Sequence, residues 1–155
     1  MFEWKDIYSC GVKRIDDEHK RLFEIGQSIY DLVKNQDNFL YTDKILDEIL
    51  DNIDNLREYT IYHFEDEERL MQLYDYPGYK AQKVVHDKFI DKIENLDLES
   101  IEENPQEEVL KLLDFVYNWI SDHILGMDLK LKDYFEQLRP SKIVKVHSKF
   151  LSGEQ

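Results

Sequence analysis

The stretch Tyr62-His63-Phe64-Glu65-Asp66-Glu67-Glu68 sits inside the longest unbroken helical pattern of the chain. A histidine and a carboxylate four residues apart lie one turn apart on the same helix face, so His63 and Glu67 can point at a common centre. Around them Leu46, Ile49, Ile53, Leu56, Thr60, Leu70 and Tyr74 recur at steps of three and four. His63 and Glu67 fill two positions of this inward stripe where the pattern asks for apolar side chains. A buried imidazole and a buried carboxylate must be paired or bound to something, and their spacing is that of metal ligands.

The rest of the chain is of a kind that can bury such a stripe. Its 155 residues are 42% hydrophobic and 13% aromatic, enough for one domain with a real core and too few to divide comfortably into two. Five glycines, three prolines and long runs of helix formers predict an all-α protein with short connections. No window is apolar for the length a membrane span requires, and Met1-Phe2-Glu3-Trp4-Lys5-Asp6 does not resemble a signal peptide, so a cytoplasmic location is the default. The single Cys10 suits a reducing compartment and reads as structurally incidental. A net charge of -14 disfavours nucleic acid and anionic membrane as partners, while an acidic exterior attracts cations.

Residues 1 to 14 read as an arm that packs along the bundle through Phe2, Trp4, Ile7, Tyr8 and Val12. A first helix is predicted from an N-cap at Asp16 to about Lys34, with Ile15, His19, Leu22 or Phe23, Gly26, Ile29 or Tyr30, and Val33 inward. The second runs from about Tyr41 to Tyr74 and stops before Pro77-Gly78. A third, about Tyr79 to Leu96, turns Tyr79, Gln82, Val85 or His86, Phe89 and Ile93 inward. An acidic loop then leads to Asn104-Pro105, an N-cap followed by proline at the first helical position. The fourth helix reaches about Leu138, with Val109, Leu112, Val116, Trp119, His123 and Met127 inside.

Four such helices close most simply as an up-down-up-down bundle, and each then offers one histidine to the interior. His19, His63, His86 and His123 all lie on apolar stripes; His147 alone is in the tail. Any one of them reads as an ordinary core histidine. All four, joined by Glu67 and Asp128, read as a shared metal centre that satisfies them together. Imidazole with carboxylate and no thiolate suits iron, zinc or manganese, and six or seven ligands are too many for one tetrahedral zinc. Two cations spanned by Glu67 and Asp128 fit better.

Jointly, the motifs resemble those of the bacterial hemerythrins. They are Ile15-Asp16-Asp17-Glu18-His19 with Leu22, His63-Phe64-Glu65-Asp66-Glu67-Glu68, Tyr76-Pro77 leading to His86-Asp87-Lys88-Phe89, and Trp119-Ile120-Ser121-Asp122-His123-Ile124 with Asp128. The resemblance spans residues 1 to about 138. It implies a four-helix bundle around two non-haem irons that binds dioxygen reversibly, a carrier, store or sensor and not an enzyme. It also implies roles: Glu67 and Asp128 bridge the irons, His19 and His63 serve the iron with the open position, and His86 and His123 serve the other. The family pattern has a further histidine one turn before His86, where this chain has Gln82, whose carbonyl oxygen is a weaker donor to ferrous iron than imidazole. Two other readings follow from that departure: an iron protein that oxidises ferrous ion or consumes peroxide, and a bundle with impaired iron binding.

Asp128 lies five residues after His123, which in a regular helix turns it about 140° off that residue's face. A local one-residue bulge, tolerated by Gly126, would restore it; the alternative is a surface-exposed Asp128. Phe23, Phe64, Trp119, Ile120, Ile124 and Leu125 are the candidates to enclose the centre and keep water from it. The bundle is expected to occupy residues 1–140. Residues 141–155 read as a basic, partly apolar tail, and the protein as a monomer or small homo-oligomer.

Overall fold

The computed structural model describes residues 1–36 and 41–138. Among these residues, six α-helices follow a short 3-10 turn at Asp6–Tyr8: α1 (Lys13–Lys34), α2 (Asp43–Leu73), α3 (Tyr79–Glu94), α4 (Leu98–Glu103), α5 (Pro105–His123) and α6 (Leu129–Glu136). A π turn over Ile124–Asp128 joins α5 to α6, so the two together make the fourth long rod of the bundle. The basic tail and His147 lie outside the described residues.

Local chemistry explains the helix ends, and several differ from the sequence reading. Thr42 caps α2 by accepting from the Ile45 N–H, so that helix begins at Asp43 rather than Tyr41. It ends ahead of Pro77. Asp75 takes a left-handed φ of 51°, the Tyr76 N–H bonds to the Met71 carbonyl, and the Asp75 N–H bonds to that of Gln72. That pair of bonds consumes two of the last free carbonyls of the helix. Asp16 is not the N-cap of α1; the helix starts at Lys13, and Asp16 sits in its first turn with its carboxylate accepting from the Cys10 N–H and Ser9 Oγ. Helix α3 stops at Glu94, two residues short of Leu96. The expected acidic loop contains α4, capped by Asp97, whose carboxylate accepts from the Ser100 N–H. Asn104 precedes Pro105 at the start of α5 without a side-chain capping bond.

The long helices alternate in direction around a ring. Helix α1 packs against α2 and α5, α2 against α3, and Phe89 and His86 of α3 meet Trp119 and His123 of α5. Two apolar clusters occupy the interior at different heights. The larger holds Phe23, Ile29, Ile49, Leu56, Phe89, Val116 and Ile120; the smaller holds Cys10, Val12, Ile15, Leu70, Met71, Leu131 and Phe135. Each long rod crosses both. Between Ile15 and Phe23 lies His19, between Leu56 and Leu70 lie His63 and Glu67, and between Ile120 and Leu131 lie His123 and Asp128. The polar side chains therefore form one layer across the bundle, sealed above and below by hydrocarbon. Cys10 is not incidental: it is fully buried in the smaller cluster, and burial pushes its thiol well above the ordinary range.

The arm is folded onto α1 and α5. Phe2 meets Phe23 and Tyr117 edge-on, Tyr8 meets Phe23 edge-on, and the Phe2 N–H donates to Gln27 Oε1. Gly26 is where the arm touches the helix, since a Cβ there would come 2.6 Å from Phe2 Cε1. Gly26→Ala is therefore expected to destabilise the protein by about 1–3 kcal/mol through overpacking. In a Phe2→Ala background the same substitution should cost nothing, a difference readable as a double-mutant cycle in chemical denaturation.

Candidate metal centre

Seven side chains from the four rods converge in the polar layer: His19, His63, Glu67, Gln82, His86, His123 and Asp128, none more than 7% exposed. The two carboxylates lie between the imidazoles. Glu67 Oε1 is 3.3 Å from His19 Nε2 and 3.5 Å from His63 Nε2, while its Oε2 is 3.4 Å from His86 Nε2. Asp128 Oδ2 is 3.3 Å from His19 Nε2, and its Oδ1 is 3.1 Å from His123 Nε2. Each carboxylate thus turns one oxygen to each half of the layer. His86 Nε2 and His123 Nε2 are 3.0 Å apart, and Gln82 Nε2 donates to Asp128 Oδ1 at 3.0 Å.

Asp128 reaches the layer because of the π turn, in which the Leu129 N–H bonds to the Ile124 carbonyl. The extra residue is absorbed there, as the five-residue spacing demands. Gly126 is not what permits it. The residue is exposed, has no positive φ, and a Cβ added to it would meet nothing within 4 Å. The turn also faces Leu125 outward, 41% exposed, so it encloses nothing. Phe64 lies flat on His86 with ring centroids 3.9 Å apart, and Trp119 stacks on His123 at 4.6 Å. Ile120 and Ile124 are buried in the larger cluster. Phe23 packs among Phe2, Trp4, Tyr8 and Tyr117, with Trp4 in turn stacked beside His19 at 6.5 Å.

Two acids, the buried Glu18 and the half-buried Glu68, hold two of the imidazoles in place. His63 Nδ1 is 2.8 Å from Glu18 Oε2, and His86 Nδ1 is 2.9 Å from Glu68 Oε1. An Nδ1–H given to a carboxyl leaves Nε2 to face the centre, the usual way a ligand imidazole is oriented. Glu18 is itself reached by Arg14, which also pairs with Asp66 at 2.8 Å and donates to the Tyr62 hydroxyl at 2.7 Å. Sequence reading passes over these orienting acids. The signal was present for Glu18, because Ile15, Glu18, Leu22, Ile25 and Ile29 form a second stripe of buried positions on α1.

The layer's electrostatics are those of a site built for positive charge. Burial pushes His63 down to about 3, leaving it neutral. For His19, burial acts downward too, but Asp128 and Glu67 outweigh it and lift the group to about 10. Likewise His86 is lifted against burial by Glu67 and Glu68 to about 9. Burial and Asp128 act to raise Glu67, yet the surrounding imidazoles hold it down at about 2; burial acts upward on Asp128 as well, but His123 and then His19 hold it well below its ordinary range. Glu18 is pushed up to about 9, first by burial and then by Asp66. His19 and His86 are thus held toward their protonated forms beside the two carboxylates.

The residues fit a cation in their place. Of the eight buried side-chain nitrogen and oxygen atoms without a hydrogen-bond partner among the described residues, six belong to the layer: both nitrogens of His19, both oxygens of Glu67, Gln82 Oε1 and Asp128 Oδ2. His19, His63 and Glu67 form one group whose ligand atoms lie within 4.8 Å of one another, and Glu67, His86 and His123 form a second. Both groups share Glu67.

A ring of four antiparallel rods closed around such a layer is a cation-binding helical bundle. More particularly, the chain belongs to the hemerythrin family: residues 10–135 match the hemerythrin HHE cation binding domain. It is 39% identical over 133 residues to a bacteriohemerythrin of Clostridium acetobutylicum, covering 86% of this chain and 100% of that protein. It is 28% identical to the myohemerythrin of Sipunculus nudus, over 84% of this chain and 91% of the relative. A bacteriohemerythrin of Stenotrophomonas maltophilia is also 28% identical, over 86% of this chain and 80% of its own length.

The raised groups give the metal-free protein a defined pH dependence. His19 and His86 bind protons more tightly folded than unfolded, so their stabilisation is fully present below about pH 6.5 and is lost as pH rises through about 9 to 10. Glu18, raised from 4.5 to about 9, contributes in the same direction over its own interval. Chelator-treated protein should thus lose stability in urea titrations between about pH 6.5 and 10, whereas a bound cation, which displaces the imidazolium protons, should flatten that slope.

Proposed function

We propose that this chain is a non-haem di-iron protein that binds dioxygen reversibly, as a carrier, store or sensor rather than an enzyme. The observation that carries the reading is the pair Glu67 and Asp128, both inaccessible to water and each offering one oxygen to either half of a shared histidine layer. His19 and His63 would hold one iron, and His86 and His123 with Gln82 the other. Neutral imidazoles with carboxylate oxygens and no thiolate suit iron. The similarity to bacteriohemerythrins and to a myohemerythrin supports the same assignment.

When bound, a ferrous pair supplies the electrons and the vacant coordination position that dioxygen uptake requires. The protein's own part is orientation and exclusion. Glu18 and Glu68 fix His63 and His86, so that both rings present Nε2 inward without a search over rotamers. Phe64 and Trp119 cover His86 and His123 on one side, and the arm's Trp4 lies beside His19 on another. A site closed by rings in this way keeps bulk water and its protons from the reacting atoms. A reducing cytoplasmic setting suits both a ferrous pair and the unpaired, buried Cys10. No helix of the described residues is long and apolar enough to cross a membrane.

The test is anaerobic loading with ferrous iron followed by exposure to air. Two irons per chain and an absorption band that appears with oxygen and disappears on its removal are expected. Rapid, irreversible oxidation would favour the ferrous-oxidising or peroxide-consuming alternative, and failure to take up iron would dismiss the di-iron reading. His63→Ala and Glu67→Ala should each abolish most iron binding while circular dichroism keeps nearly the wild-type helix signal, because the apolar clusters hold the bundle.

A further inference from the structure

Gln82 is the one member of the polar layer that neither titrates nor carries charge, and it is 1% exposed. Its Nε2 donates to Asp128 Oδ1 at 3.0 Å, while its Oε1 is buried without a partner. That bond orients the amide, because reversing it would set the amide oxygen against a carboxylate oxygen. The carbonyl oxygen is therefore the free end of a side chain that lies one turn before His86 on α3 and bonds the Asp128 oxygen facing His123.

Two consequences act on that half alone. An amide oxygen is a neutral, hard donor, and a third imidazole is absent. The hydrogen bond from Gln82 also draws on Oδ1, the Asp128 oxygen that faces His123 at 3.1 Å, leaving it a poorer donor to anything held there. Asp128 Oδ2, facing His19 at 3.3 Å, accepts no such bond. A histidine in place of Gln82 could not do both things, because a ring nitrogen bound to a cation puts its N–H on the far side of the ring. Oxygen-rich donor sets suit manganous ion, and each imidazole removed narrows the preference for iron over manganese.

Building on the di-iron reading above, we propose that Gln82 makes the His86/His123 half-site an exchangeable one, which holds its cation through an amide oxygen and admits manganous as readily as ferrous ion. The His19/His63 half keeps its cation. The occupancy of the second position is then set by the divalent metal in the surroundings.

Chelator competition on the ferrous-loaded full chain tests this. Wild type should release its two irons in separate phases, one at least about 10-fold faster than the other, and Gln82→His should slow the fast phase by about 10-fold or more with the slow phase unmoved. Gln82→Ala, which deletes the amide oxygen, should speed the fast phase further. With manganous chloride added to iron-loaded wild type, one manganese per chain should exchange in, with an electron paramagnetic resonance signal altered by the neighbouring iron; Gln82→His should suppress that exchange. Two irons released in one phase, rates unaffected by both substitutions, or manganese entering neither half or both equally would overturn the proposal. Failure of wild type to bind iron at all would overturn the di-iron reading, and this inference with it. Should Gln82→His not fold, the manganese exchange of wild type and the release rate of Gln82→Ala decide the matter.

Discussion

Two carboxylates without access to water, Glu67 and Asp128, set the conditions for the rest of the molecule. Removing an ionised carboxylate from water costs several kcal/mol even after relaxation, so positive charge must lie within a few ångströms of each. Imidazoles meet that need, either by favouring their protonated forms, the direction in which His19 and His86 are shifted, or by helping to hold a cation. The cluster is thus a place for positive charge. Hydrocarbon on both sides keeps that demand from being met by solvent.

The bundle tolerates such a layer because the cost is divided. Each long rod contributes one or two polar side chains and several apolar ones on the same face, so no helix loses its hold on the core. Outside the layer, Glu18 and Glu68 fix ring orientation, and Arg14 ties Glu18 to Asp66 and Tyr62. The arm completes the enclosure at its own cost, requiring a glycine at residue 26 to let Phe2 approach.

Much of this was legible in the sequence, for a physical reason. Helical periodicity is a statement about burial, and His19, His63, Glu67, Gln82, His86 and His123 each stood where an apolar residue was due. The five-residue step to Asp128 likewise announced a disturbed helix, and the π turn is there. What periodicity cannot express is partnership. Glu18 lies on a buried stripe, but its bond to His63 joins residues 45 apart in sequence. Leu125 lies outside the enclosure because the bulge that brings Asp128 in turns Leu125 outward. The turn makes no use of the conformational freedom of Gly126. Helix α4 is not legible because its six residues, three of them acidic, show no period long enough to read, and the bond from the Ser100 N–H to the capping Asp97 is too local a signal. The role of Cys10 depends on Leu131 and Phe135 packing beside it from the far end of the chain.

The π turn also relates the two histidine–carboxylate pairs by geometry. On α2 the pair is histidine with glutamate four residues later; on the fourth rod it is histidine with aspartate five residues later, one methylene shorter and one residue further. Beyond the turn Leu131 and Phe135 face inward as they would from an unbroken helix, so the extra residue is confined to Ile124–Asp128. A single codon lost from its outward side, at Leu125 or Gly126, would return the rod to regular helix without re-aiming anything downstream, and would leave the two pairs in the same register. Sequence comparisons that penalise gaps inside helices would misalign Asp128 across such an event, although the carboxylate itself would hardly have moved.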